Sequence, residues 1–336
     1  MTNPGHRGSE HINDNLRIIV QPGREVRWSQ FQRYPPFSIA LDGFCVGPTR
    51  FSKDGQRITL DHHRGVNDVA VRATCGQARE IVKQGLYDDW RDEAGPRATM
   101  FVNDCDQDVC AATFVLMNPD WVGRPLLRKY IGLEDHLDSS SGLYLPDNDE
   151  FRTLVHVMSW IHEPYTTARL LGELHHLSGE SMLEIIRAVH ERIRLFLFGH
   201  GQQKDKLDYS YELLAKHEIW SMIRETGSDA RLGLARDGIR AFVSYLGEDG
   251  GGYHRYSIGR RIQSVPFPVR EILECLNEAE GIRPQTALGR WGGGSNRGGS
   301  PRIRGSKLTP SEVETVVENC IQRWRSEIRQ IRRSWH

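Results

Sequence analysis

Apolar residues in this chain come in short bursts that stop at acidic residues or histidine. The runs at 18–20 and 37–41 read as buried strands, and the second delivers Asp42 and Gly43 into a loop. A third run at 57–60 ends at Asp61, His62 and His63, and a fourth at 98–102 ends at Asn103 and Asp104. Between them the apolar spacing turns helical, over 69–84 and 109–117. Alternating strands and helices predict an α/β fold with a mainly parallel sheet. In such sheets ligands gather at the carboxyl ends of the strands, where these acids and histidines fall.

From 150 to 230 the pattern is helical. Ser181 with Glu184 three residues on reads as a capping box. Leu183, Ile186, Val189, Ile193 and Leu197 then share one face, and Gly199 closes the helix. Residues 199–208 are a polar connector. Beyond them come a strand at 238–246, a tight turn at 248–252 and a partner strand at 253–261. A short helix at 269–279, a glycine-rich run at 289–305 and a final helix opened by Thr309, Pro310 and Glu312 complete the chain. Residues 1–15 are polar and expected to fray. No repeat at 20–50 residues is evident.

The length of 336 residues favours two domains, and 38% hydrophobic residues suffice for packed cores. No apolar run reaches 18 residues, which excludes a membrane-spanning helix. The first residues lack an apolar stretch, so no secretory signal is expected. Six cysteines without a CxxC pair fit a reduced, cytoplasmic setting. Lys and Arg number 44 against 44 Asp and Glu, but the balance hides segregation. Residues 231–336 hold 18 bases and 11 acids, a net +7, which leaves −7 for residues 1–230. Residues 101–150 hold ten acids against three bases. That split suggests a carboxylate-rich metal site in one part and an anion-binding surface in the other.

Asp104, Asp106 and Asp108 alternate directly after a strand, and three such carboxylates repel unless a divalent cation offsets them. A helix cap or a calcium loop is the plainer use of an Asp-rich turn. Asp61, His62 and His63 can ligate a metal and orient a second ligand, although a histidine pair is more often a surface pair. Asp135, His136 and Asp138 form a further loop site, and Asp42 adds a lone strand-end carboxylate. Four such sites suffice for a two-metal centre in which an activated water attacks phosphorus. His156, His162, His175 and His176 lack carboxylates at useful spacing, and Cys105 and Cys110 read as small buried residues.

These residues resemble the DHH phosphoesterase superfamily. Asp61, His62 and His63 match the motif that names it, and 104–112 resembles its alternating-aspartate motif, where small residues open a helix. Leu41, Asp42 and Gly43 stand for its lone strand-end aspartate, and 135–139 resembles a further acidic motif. Near the other end, Trp291, Gly292, Gly293, Gly294, Ser295 and Arg297 resemble the glycine-rich signature of the DHH-associated domain, preceded by a strand with Arg260. Two departures stand out. The DHH motif comes some forty residues before the aspartates instead of after them, and Ser295 replaces the signature's histidine.

The resemblance implies a metal-binding catalytic domain over 1–150, a helical region and connector over 151–235, and a smaller α/β substrate-binding domain over 236–336. It implies that Asp42, Asp61, His62, Asp104, Asp106, Asp108 and Asp138 hold two manganese ions, magnesium being an alternative, with His62, His63 and Asp106 at the chemistry. Arg260, Gly292, Gly293, Gly294, Ser295 and Arg297 would hold the rest of a nucleotide-bearing substrate: a short oligonucleotide, a single strand or a cyclic dinucleotide. Trp291 and Tyr256 would stack on a base. No membrane partner is implied, and a homodimer is compatible. The competing expectations are a phosphatase acting on a small phosphate compound and a catalytically degenerate nucleotide-binding regulator.

Overall fold

A computed structural model describes residues 8–334, apart from 14, 64, 68, 69, 147, 250, 283–288 and 303. The expected fraying of residues 1–7, the start of the 69–84 helix and part of the 248–252 turn lie outside the described residues. The chain divides into two compact units, 1–139 with 145–208 and 140–144 with 209–336.

The first unit is built on a six-stranded sheet in the order Gly8–Asn13, Leu16–Val20, Ala98–Val102, Ser38–Leu41, Arg57–Leu60, Arg50–Phe51. The inner four strands are parallel, and the two outermost run antiparallel to their neighbours. Ser38–Leu41 is buried at every position, as expected of a parallel strand covered on both faces. The helices Thr74–Lys83, Gln107–Met117 and Pro125–Ser139 pack together. All residues from Asp108 to Met117 are buried, so this helix is buried all round. A separate aromatic cluster of Phe31, Phe44 and Phe101, with Tyr34 against it, makes edge-to-face contacts.

The second unit has its own six-stranded sheet, ordered Tyr211–Lys216, Ser221–Glu225, Ala241–Glu248, His254–Arg260, Arg297–Gly299, Gly292–Gly293. Only the Ser221–Glu225 and Ala241–Glu248 pair is parallel. Trp220, Phe267, Ile272, Leu276, Trp291, Val313 and Val317 form its core with the helices Val269–Ala279 and Pro310–Ser334. The α/β class and the mainly parallel first sheet are as expected.

Several elements differ from the sequence reading, each for a tertiary reason. Residues 8–13 form a strand because Leu16–Val20 offers them an antiparallel ladder. Residues 211–225 are two strands rather than helix, since Ser221–Glu225 finds a partner in Ala241–Glu248. The long central helix starts at Gly179, capped by Ser178, whose hydroxyl accepts from Ser181 N at 3.1 Å. The cap at Thr309 is as expected: its N–H and hydroxyl both donate to Glu312 at 2.8 Å. Among the described residues no helix is long and apolar enough to cross a membrane.

Candidate metal centre

The parallel register of the first sheet assembles the site. Leu41 pairs with Leu60, so Asp42 and Asp61 leave the sheet side by side, and Asp42 N donates to Leu60 O at 3.0 Å. The chain then turns sharply, with Asp42 at φ +48 and Gly43 at φ +81 and Phe44 N bonded to Leu41 O. Aspartate tolerates this left-handed backbone better than most residues, which suits Asp-Gly to the position.

His62 lies at the centre, buried. Its Nε2 is 3.2 Å from Asp42 Oδ1, 3.3 Å from Asp108 Oδ2 and 3.1 Å from Asp138 Oδ2. One imidazole N–H can serve one of these oxygens, so three carboxylates around one nitrogen leave negative charge that a cation would balance. His63 Nδ1 lies 2.9 Å from Asp61 Oδ1 and 3.4 Å from Asp42 Oδ1. His63 N also donates to Asp61 Oδ1 at 3.0 Å, so Asp61 orients His63. The other Asp61 oxygen, Oδ2, is buried and has no hydrogen-bond partner among the described residues.

Asp42 with His62 and His63, and His62 with Asp108 and Asp138, each present ligand atoms within 4.8 Å of one another. These buried Asp and His groups can hold a metal ion. The oxygens and imidazoles suit a hard divalent cation that tolerates nitrogen. The thiols of Cys75, Cys105 and Cys110 are pushed upward, chiefly by burial, and belong to neither ligand group.

The three alternating aspartates separate in role. Asp108 points into the cluster. Asp106 caps its own helix, accepting from Val109 N at 2.9 Å, and Asp104 accepts from Cys105 N at 2.7 Å. Asp61, Asp104 and Asp106 belong to neither ligand group. Burial, then the charges of Asp42, Asp104 and Asp108, hold the Asp106 carboxyl well above the usual carboxylate range. Asp138 arrives on the last turn of the Pro125–Ser139 helix, not on a loop.

Sequence reasoning missed the first turn of Thr74–Lys83. Asp108 takes both Thr74 N at 2.8 Å and Cys75 N at 2.7 Å, and Asp135 Oδ1 takes Ala73 N at 2.6 Å. Carboxylates suit a helix N-terminus, which concentrates unsatisfied N–H groups. The available signal was Thr74 just ahead of an apolar period.

The residues expected to hold substrate in the second unit are engaged with their own fold. Arg260 Nε reaches Ser295 O at 3.1 Å and Asn296 Oδ1 at 3.3 Å, while Nη1 reaches Gln263 O and Val265 O. Ser295 Oγ accepts from Gln263 at 2.6 Å. Gly292 and Gly293 pair with the Arg297–Gly299 strand, and Gly294 N donates to Arg297 O. A Cβ on Gly293 would lie 2.2 Å from Arg297 O, so glycine here permits backbone to meet backbone. Arg297 is half-buried in that strand. Trp291 and Tyr256, expected on a base, are instead buried core residues stacked at 5.5 Å. No family model, no curated protein and no solved structure matches the chain.

Proposed function

We propose that the first unit is a divalent-metal-dependent phosphoester hydrolase. The convergence of Asp42, His62, His63, Asp108 and Asp138 carries this reading. Manganese fits the mixed oxygen and imidazole donors best, and the resemblance implies a pair of ions. Bound cations would lower the pKa of a water and offset charge building on the phosphoryl oxygens. His63, held by Asp61 and only partly buried, stands where it can hydrogen-bond a phosphoryl oxygen or pass a proton. The resemblance favours a phosphodiester in a short oligonucleotide, single strand or cyclic dinucleotide. A second reading, hydrolysis of a small phosphate compound, gains from the engagement of Arg260 and the burial of Trp291 and Tyr256 within the fold.

Manganese titration of the full chain, followed by assay on a dinucleotide, a generic phosphodiester and a phosphomonoester, tests both. Turnover of the diesters supports the first reading, and turnover of the monoester alone supports the second. Tight metal binding with no turnover of any of them sinks the hydrolase and leaves a regulator. Asp42→Asn keeps a residue that tolerates the turn and removes one charge. It should weaken manganese binding about 100-fold, as loss of a ligand charge does. It should also raise the metal-free unfolding temperature, because the remaining carboxylates repel less.

A further inference from the structure

We propose that Thr74 is a positioning residue, holding Asp42 in one ligand group and Asp108 in the other where both face His62; this rests on reading the cluster as a metal site. Thr74 is completely buried. Its hydroxyl donates to Asp42 Oδ1 at 3.0 Å, and its N–H donates to Asp108 Oδ2 at 2.8 Å. These are the same two oxygens that face His62 Nε2 at 3.2 and 3.3 Å. A single residue thus touches both carboxylate oxygens that converge on one imidazole.

The two grips differ in kind. Asp108 is held by backbone, with Cys75 N at 2.7 Å on its other oxygen, so no side-chain substitution at 74 deletes that grip. Asp42 is held by the Thr74 side chain, so a substitution can release it. Threonine suits the task because β-branching limits its rotamers. Thr74 is the first residue of its helix, and its hydroxyl is given to Asp42. An oxygen that accepts one hydrogen bond keeps a second lone pair for a cation. Groups that orient metal ligands in this way are worth about 10- to 100-fold in metal affinity.

The test is calorimetric titration of manganese into the full-length wild type, Thr74→Val and Thr74→Ser, with metal-free unfolding measured for each. Thr74→Val should bind about 10- to 100-fold more weakly, and Thr74→Ser within about threefold of wild type, since it keeps the hydroxyl. If Thr74→Val does not fold, Thr74→Ala takes its place. Wild-type binding matched by Thr74→Val overturns the positioning role alone. Equal weakening in Thr74→Ser and Thr74→Val also overturns it, because the hydroxyl is then not what matters. A wild type that binds no manganese overturns the metal reading and this inference with it.

Discussion

At the carboxyl ends of the first sheet, carboxylates and imidazoles crowd one another; at the edge of the second sheet, glycines and arginines are absorbed into the fold. Both regions carry residue patterns that resemble functional motifs. They differ in what folding alone would require. No packing need places three carboxylate oxygens within 3.3 Å of His62 Nε2, and burying that charge is costly. In the glycine-rich run the fold itself uses the arginine and the glycines. Arg260 ties down backbone carbonyls, and the glycines let two strands approach. A motif points to chemistry when its atoms exceed what the fold consumes.

The severest way to break this contrast is Gly293→Ala. The new methyl would sit 2.2 Å from Arg297 O and 2.4 Å from Gly298 Cα, both backbone, so the hairpin must open. The expected cost is about 3 kcal/mol or more, typical of overpacking that cannot relax. Urea unfolding checks the cost, and manganese affinity should stay unchanged. A stable Gly293→Ala protein that has lost phosphate or nucleotide binding would make the run a ligand cradle after all and dissolve the contrast.

The legible part of the site was the part written in short contiguous motifs at strand ends. Asp42, His62 and Asp108 each follow or lie just beyond an apolar run, and parallel register does the rest. Reversed motif order did not prevent convergence, because neighbouring strands in the sheet are 98–102, 38–41 and 57–60 regardless of their order in the chain. Thr74 was hidden, and Asp135 was singled out without its role at a helix end, because their importance lies in contacts across 32 and 62 residues, to Asp42 and Ala73 N. The strands at 211–225 were hidden for a related reason. Leu213 and Leu214 are both exposed on an edge strand, so the period-two signal never forms.

Histidines sharpen the comparison inside the first unit. His62 faces carboxylates, whereas His162 and His190 face the core. His162 Nε2 bonds the Tyr130 hydroxyl at 2.9 Å with Glu134 beyond, and His190 Nε2 bonds Cys110 O and Thr113 Oγ1. In both rings Nδ1 is buried with no hydrogen-bond partner among the described residues, which offer no acceptor for a second proton. Burial pulls His162 down to about 3 and His190 to about 4. Each stays neutral when folded and gains a proton on unfolding below its ordinary value. Its stabilising effect is full above about pH 6.5 and declines as pH falls, by about 2 kcal/mol each at pH 5. Asp106 and Asp135, both raised chiefly by burial, act in the opposite sense in the metal-free chain. An imidazole titration by NMR therefore isolates the effect: both rings should remain neutral down to pH 5. Titration of either near pH 6.5 would show that the buried-core assignment is wrong.

The smallest expected effect tests whether the second unit is chemically silent. Cys275 is 8% exposed while Cys45, Cys75, Cys105 and Cys110 are each 0% exposed, and its sulfur lies 2.6 Å from that of Cys320. The neighbouring Cys320 sulfur, then the Arg323 guanidinium 3.0 Å away, outweigh burial and hold Cys275 below an ordinary thiol. Cys45, by contrast, is pushed up to about 11 by burial. Cys275 would therefore hold more thiolate at pH 7 than an ordinary thiol. Brief alkylation with iodoacetamide and peptide mapping should therefore find Cys275 modified first, at a rate rising through pH 7. Cys320→Ala removes the larger of the two supports and should slow that labelling at pH 7. Arg323→Gln removes the lesser one and should slow it less. If neither variant changes the rate, exposure alone sets the reactivity, and the second unit has no tuned thiol to set against the crowded carboxylates of the first.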